Sequence, residues 1–229
     1  MRVFRSAARL AYGAGLGFRK LALAFSLCAG AAHAEPIVIA ALGDSLTQGY
    51  GLPAEEGFVP QLEAWLRAQG ADVSLINAGV SGDTTAGGLS RAAWTLTPEI
   101  DAMIVALGGN DLLRGIAPAE ARANLRGILE AARDAGVPVL LVGITAPGNY
   151  GPDYKAEFEA IYPELAAEFG ALHAENFFAP VAARLEAGAP LGEVMQPDGI
   201  HPNAAGVALI VEALGPEVLK LLSVAKEES

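Results

Sequence analysis

"IVIAALGDSLTQGYG", Ile37 to Gly51, sets six consecutive apolar residues directly before Gly43, Asp44 and Ser45. A run that is apolar at every position, rather than at every second one, marks a strand covered on both faces, and such strands belong to parallel sheets. Ser45 then stands just past the strand's carboxyl end, where open α/β sheets bind their ligands. The same residues have a purely local use, because Ser and Asp are favoured helix N-caps. The rest of the chain decides between a cap and a site.

Downstream the apolar period changes. "FVPQLEAWLRAQG" puts Val59, Leu62, Trp65 and Leu66 on one helical face and closes at Gly70. "VSLINAG" reads as a second strand, "TTAGGLSRAAWTLTP" as a glycine-weakened helix ending before Pro98, and "AMIVALGGND" as a third strand running into a loop. "PAEARANLRGILEAARDAG" is a helix opened by Pro118 and stopped by Gly136. "VPVLLVGIT" is a fourth strand, and "DYKAEFEAIYPELAAEFG" a helix carrying Pro163, a residue able to kink it. "ALHAE" is a short fifth strand, and "NAAGVALIVEALGPEVLKLLS" a last helix capped by Asn203. Strands alternating with helices predict an α/β fold: a parallel sheet of about five strands, covered on both faces and joined by right-handed crossovers. With no repeat, low-complexity tract or linker, residues 35–229 are expected to form a single domain.

Residues 1–34 are set apart from that domain. Arg2, Arg5, Arg9, Arg19 and Lys20 occur there without an acid, followed by the apolar stretch Leu21 to Ala32 and "AHA" before Glu35. A basic region, a short apolar region and an A-x-A site describe a secretory signal peptide, and the apolar run is too short to span a bilayer comfortably. Cleavage after Ala34 leaves 195 of the 229 residues, with no stable membrane insertion and an expected periplasmic location. Losing five basic residues and no acid takes the formal charge from −11 to −16. Such a surface repels phosphate backbones, so nucleic-acid partners are excluded, whereas a neutral ester is not. Cys28 and His33 leave with the signal, which removes any thiol nucleophile and leaves only His173 and His201 for base chemistry. Two histidines make a His-rich zinc site unexpected, and no cofactor is implied.

The odd polar and glycine-rich stretches all follow strands: "GDSLTQG", "AGVSGDT", "GGND" and "APGNYGPD". In a parallel sheet these loops meet at one edge. Acyl transfer by serine needs a hydroxyl, a base within hydrogen-bond reach, a group that orients the base, and donors for the oxyanion. Ser45 supplies the hydroxyl. In "MQPDGIHPNAAG" His201 lies in a loop before the last helix with Asp198 three residues upstream, so the carboxylate can take the Nδ1 proton and leave Nε2 for Ser45. His173, within the fifth strand, reads as a satisfied structural histidine. The oxyanion donors come from the amide of Asn110, the N–H of Ser45 itself, and a glycine of the second loop, Gly79 or Gly82.

In order, "GDSL", the second-loop glycine, "GGND" and "DGIH" resemble the four sequence blocks of the SGNH (GDSL) hydrolases, over nearly the whole mature chain. "SGDTTAGGLSR", "LGGNDLLRG", "NYGPDYKAEFEAIYPELAAEFG" and "DGIHPN" are similar to the bacterial periplasmic subgroup of thioesterase I, protease I and lysophospholipase L1, which includes arylesterases. The resemblance implies a flavodoxin-like three-layer α/β/α sandwich and metal-independent hydrolysis. It implies Ser45 as nucleophile, Asp198 and His201 completing a triad, and Ser45, Gly82 and Asn110 as the oxyanion hole; it selects Gly82 over Gly79.

Gly43 is expected to let the chain turn sharply, and Asp44 to brace neighbouring loops beside the substrate. Leu112, Ile144, Pro147 and Tyr150 are the candidate acyl-contacting residues, the last two in the loop "TAPGNYGPDY". Carboxylic esters of short to medium acyl chains, aryl esters among them, are the expected substrates, followed by acyl thioesters and lysophospholipids. A carbohydrate-ester deacetylase, with Tyr50, Tyr150 and Tyr154 as its aromatics, and a non-catalytic flavodoxin-like binding module are the alternatives. For a phosphate-binding module, Asp44 sits where an anion would be repelled.

Overall fold

The apolar run from Ile37 forms β1 (Ile37–Gly43), and its flanking strands explain why it tolerates no polar residue. The computed structural model describes residues 35–228, so the signal-peptide segment lies outside the described residues. With β1 run β2 (Val73–Gly79), β3 (Ala102–Ala106), β4 (Val139–Val142) and β5 (Leu172–Ala174). They pair in parallel in the order β2-β1-β3-β4-β5. This is the flavodoxin-like order, with its switch point between β1 and β3.

Nine α-helices, with short 3-10 turns at Ala54–Glu56 and Gly148–Tyr150, complete the described chain: α1 (Ser45–Gln48), α2 (Phe58–Ala68), α3 (Thr85–Thr95), α4 (Gly109–Arg114), α5 (Pro118–Asp134), α6 (Pro152–Phe169), α7 (Ala179–Glu186), α8 (Leu191–Val194) and α9 (Ala204–Glu228). Side chains alternate across a strand, so the central strands feed two separate cores. Ile39, Ala41, Ile104 and Leu140 pack with α2, α7 and α9, whereas Ala40, Leu42, Met103, Val105 and Leu141 pack with α3, α5 and α6. The result is the three-layer α/β/α sandwich expected from the sequence. β2, at the edge, is only partly covered, and there Ser74 and Asn77 interrupt the apolar run.

The caps follow the sequence signals. Thr84 Oγ1 accepts from Gly87 N at the start of α3, and Asn203 Oδ1 accepts from Gly206 N at the start of α9. α6 continues through Pro163 over 18 residues. Two expectations differ in detail. "GGND" is not simply a loop, because Gly109 already begins α4, six residues long and too short to show a period. Gly43 has no positive φ; it is needed because a Cβ there would collide with Thr47 and come within 2.9 Å of the Ala106 carbonyl.

Register sets the level of the loops. Gly43 lies opposite Gly79 on one side and Ala106 on the other, so β1, β2 and β3 release their following segments side by side. At Gly79 the backbone of α1 passes so close that a Cβ would meet Gln48 N, lie 2.8 Å from Gln48 Cα and 2.9 Å from the Asp44 carbonyl. Gly79→Ala is therefore expected to cost about 1–3 kcal/mol, the usual penalty for forcing extra atoms into a packed site. Urea unfolding checks this, an unchanged midpoint being the contrary result.

Candidate active site

At the end of β1 the backbone turns into α1, and Asp44 and Ser45 divide the two roles the sequence offered. Asp44 is the cap: its Oδ1 accepts from Leu46 N at 3.0 Å. Ser45 is the first helical residue, free to present its hydroxyl. Its Oγ lies 2.8 Å from His201 Nε2, and His201 Nδ1 lies 2.6 Å from Asp198 Oδ2. Because a carboxylate only accepts, the proton between them belongs to Nδ1, which leaves Nε2 to accept from Ser45.

The segment bearing the imidazole is closed on itself. Asp198 Oδ1 accepts from the backbone N–H groups of Ile200 at 2.9 Å and His201 at 3.0 Å. Gln196 N donates to the His201 carbonyl, and Gln196 Nε2 reaches the Tyr50 and Pro202 carbonyls. The ring of Tyr50 rests 4.7 Å from that of His201. The His201 backbone N–H, then its side chain, then the Ile200 N–H lower the Asp198 carboxyl to about 2. It is thus anionic across the neutral and mildly acidic range.

Three donors border the same space. Gly82 sits in the turn Val80–Asp83 with φ 83°, a conformation that favours glycine. Its N–H and that of Ser45 donate to no acceptor among the described residues. Gly79, the other glycine left open by composition, is occupied in packing against α1. Asn110, in the first turn of α4, donates from Nδ2 to Asp44 Oδ2 at 3.3 Å. Asp44 is 2% exposed, so it braces α1 and α4 from beneath the site.

These groups open onto a cavity of about 670 Å³. Ser45, Asp44, Gly82, Asn110, His201, Leu112, Ile144, Pro147 and Tyr150 all line it. Asp198 stands behind His201. Leu113, Phe178, Met195 and Ile200 also line the cavity and were not foreseen from sequence. Ile200 lies inside the block "DGIH" and Met195 three residues before it; Phe178 carries no signal beyond its hydrophobicity. His173 lies apart from the cavity, and it is not the satisfied histidine expected, since its Nε2 is buried without a hydrogen-bond partner. Burial lowers its pKa, which keeps the ring neutral.

Fold and site together define a hydrolytic enzyme of the SGNH type. The model of the GDSL-like lipase/acylhydrolase family matches residues 41–209, and the chain belongs to this family. It is 39% identical over 201 residues to an esterase, TesA, of Pseudomonas aeruginosa, a match covering 87% of this chain and 96% of the relative. An arylesterase of Vibrio mimicus is 36% identical over 89% of this chain and 99% of its own length. Among solved structures, the SGNH-hydrolase family esterase AlinE4 shares 46% identity with a TM-score of 0.67, covering 82% of this chain and 98% of that one.

Burial outweighs the hydrogen bonds from Leu46 and Asn110 and raises the pKa of Asp44. Between its ordinary and raised values the folded state binds the proton more tightly than the unfolded chain, so stability is lost as pH rises through that window. Asp44→Asn removes this cost. The melting-temperature difference, variant minus parent, is expected to be more favourable at pH 7 than at about pH 3, where both forms are neutral. Equal differences at the two pH values would contradict the assignment.

Proposed function

We propose that the chain hydrolyses carboxylic esters of short to medium acyl chains, aryl esters among them, through an acyl-enzyme on Ser45. Acyl thioesters and lysophospholipids are further substrates of the same site. The single observation that carries this is the unbroken hydrogen-bonded chain Ser45–His201–Asp198 opening onto a largely apolar cavity. The names of the relatives, esterase and arylesterase, support it. The segment Met1–Ala34 directs the enzyme across the inner membrane, with the periplasm as its working compartment. No helix among the described residues is long and apolar enough to cross a membrane.

In the acylation step His201 Nε2 takes the Ser45 proton as Oγ attacks the ester carbonyl carbon. Negative charge moves to the carbonyl oxygen, where the N–H groups of Ser45 and Gly82 and the Asn110 amide receive it. Asp198 holds the imidazole in the required tautomer and stabilises the imidazolium. The tetrahedral intermediate collapses, the C–O bond to the leaving group breaks, and His201 returns its proton to the departing oxygen. Water then attacks the acyl-serine by the same route, releasing the acid and restoring Ser45. Aryl esters suit this site because a phenolate leaves with little help from the acid. Peptide bonds suit it least, because an amine must be protonated to leave.

Leu112, Ile144, Pro147 and Tyr150 contact the acyl chain. Hydrolysis of p-nitrophenyl esters from acetyl to palmitoyl tests the assignment. Ser45→Ala is expected to abolish turnover while its circular dichroism and melting temperature stay unchanged, and retained activity in that variant would remove Ser45 as the nucleophile. Asn110→Ala is expected to lower kcat by roughly 10²- to 10³-fold, the effect of losing one oxyanion donor. A kcat equal to the parent's would remove Asn110 from the oxyanion hole.

A further inference from the structure

Arg91, on α3, touches no part of the cavity, yet its guanidinium joins three segments that frame it. Nη2 donates to the Gly43 carbonyl at 2.8 Å, at the end of β1 two residues before Ser45. Nη1 donates to the Ala78 carbonyl at the end of β2. Nε donates to Asp83 Oδ2 at 2.7 Å, and Asp83 directly follows Gly82. About a fifth of each side chain in this ion pair remains exposed, so the contact is partly sheltered from water. The Asp83 carboxylate lies against Gly87, where a Cβ would fall 2.5 Å from Oδ1, so the first turn of α3 is shaped to receive it.

We propose that Arg91, acting through Asp83, is a positioning residue that holds the Gly82 N–H in register with the Ser45 N–H; this rests on the oxyanion role given to Gly82 above. The turn Val80–Asp83 needs such a device. A glycine lacks the Cβ that restricts other residues, and Gly82 is exposed, with Arg114 Nη2 donating to its carbonyl at 2.8 Å but no side-chain bond at its N–H among the described residues. On its entry side the turn is tied to β1 by Val80 N donating to the Gly43 carbonyl at 3.0 Å. On its exit side it is tied by Asp83, through Arg91, to that same carbonyl. The turn's own backbone thus holds its entry, and one planar, rigid donor group holds its exit, to the strand that carries Ser45. Arginine suits this task because its fork satisfies several acceptors at set angles, which a lysine ammonium cannot do.

A guanidinium that merely splints β1 to β2 would act through Gly43 and Ala78 alone, so Asp83 separates the two roles. Asp83→Ala keeps both strand contacts and cuts only the tie to the turn. Asp83→Ala and Arg91→Lys are each expected to lower kcat on p-nitrophenyl butyrate by roughly 10- to 100-fold, the cost of misplacing a catalytic group by a fraction of an ångström to an ångström. KM should stay within about 2-fold, since ground-state binding makes no use of the oxyanion donors. The inhibition constant of a matched alkyl trifluoromethyl ketone, whose serine adduct carries the oxyanion, should rise in proportion to the loss in kcat. The double variant should be no slower than Arg91→Lys, because the two residues act as one unit.

The proposal is overturned if folded Asp83→Ala keeps kcat within about 2-fold of the parent, whatever Arg91→Lys does to the melting temperature. It is overturned equally if KM alone changes. Stoichiometric labelling of the parent enzyme by a fluorophosphonate, located by mass spectrometry, keeps the two levels apart. A parent labelled at Ser45 with an unimpaired Asp83→Ala overturns the positioning role alone, whereas a parent unlabelled at Ser45 overturns the catalytic assignment and this one with it.

Discussion

A carboxylate almost closed off from water holds this site in shape. Asp44 accepts from Leu46 N and from the Asn110 amide, so one side chain starts the helix that carries Ser45 and anchors the helix that carries Asn110. Its burial works against its own charge, since desolvation raises its pKa. The hydrogen bonds it accepts offset part of that cost, and the structure keeps the carboxyl where β1 and β3 part company. Stability is given up locally to obtain a fixed distance between two loops.

The parallel sheet makes such an economy workable. Because β1, β2 and β3 end level with one another, Ser45, Gly82 and Asn110 each need only a few residues to reach a common point. None of the three has to be carried on a long excursion. The apolar side chains that line the cavity come from the segments after β1, β3 and β4 and from those before α7 and α9. A single edge of the sheet therefore provides both the reacting groups and the walls around them.

What was legible in the sequence was what repeats or stands alone. Six apolar residues before Gly43 could only be a strand covered on both faces, and of the two histidines in residues 35–229 the one in the last loop is the one beside Ser45. Family resemblance chose Gly82 over Gly79; in the structure Gly79 packs against the backbone of α1, while Gly82 lines the cavity and its N–H meets no acceptor among the described residues. Illegible were the contacts that depend on chain segments distant in sequence. Nothing in "SGDTTAGGLSR" announces that Arg91 reaches back 48 residues to the Gly43 carbonyl. Nor does periodicity find α4 or α8, which are too short to display one. Phe178 was missed for the same reason, because a lone apolar residue in a loop has no pattern to betray which space it fills.

The two halves of the hydrogen-bonded chain Ser45–His201–Asp198 differ greatly in how they are assembled. Asp198 and His201 belong to one turn that organises its own hydrogen bonds, whereas Ser45 meets them across 156 residues. The Asp198–His201 contacts are local to one turn, but they meet Ser45 only where the segment before α9 packs against the end of β1. Until that packing is in place, Ser45 and His201 stand on separate pieces of the chain. Their hydrogen bond is a property of the finished fold and of no shorter part of it.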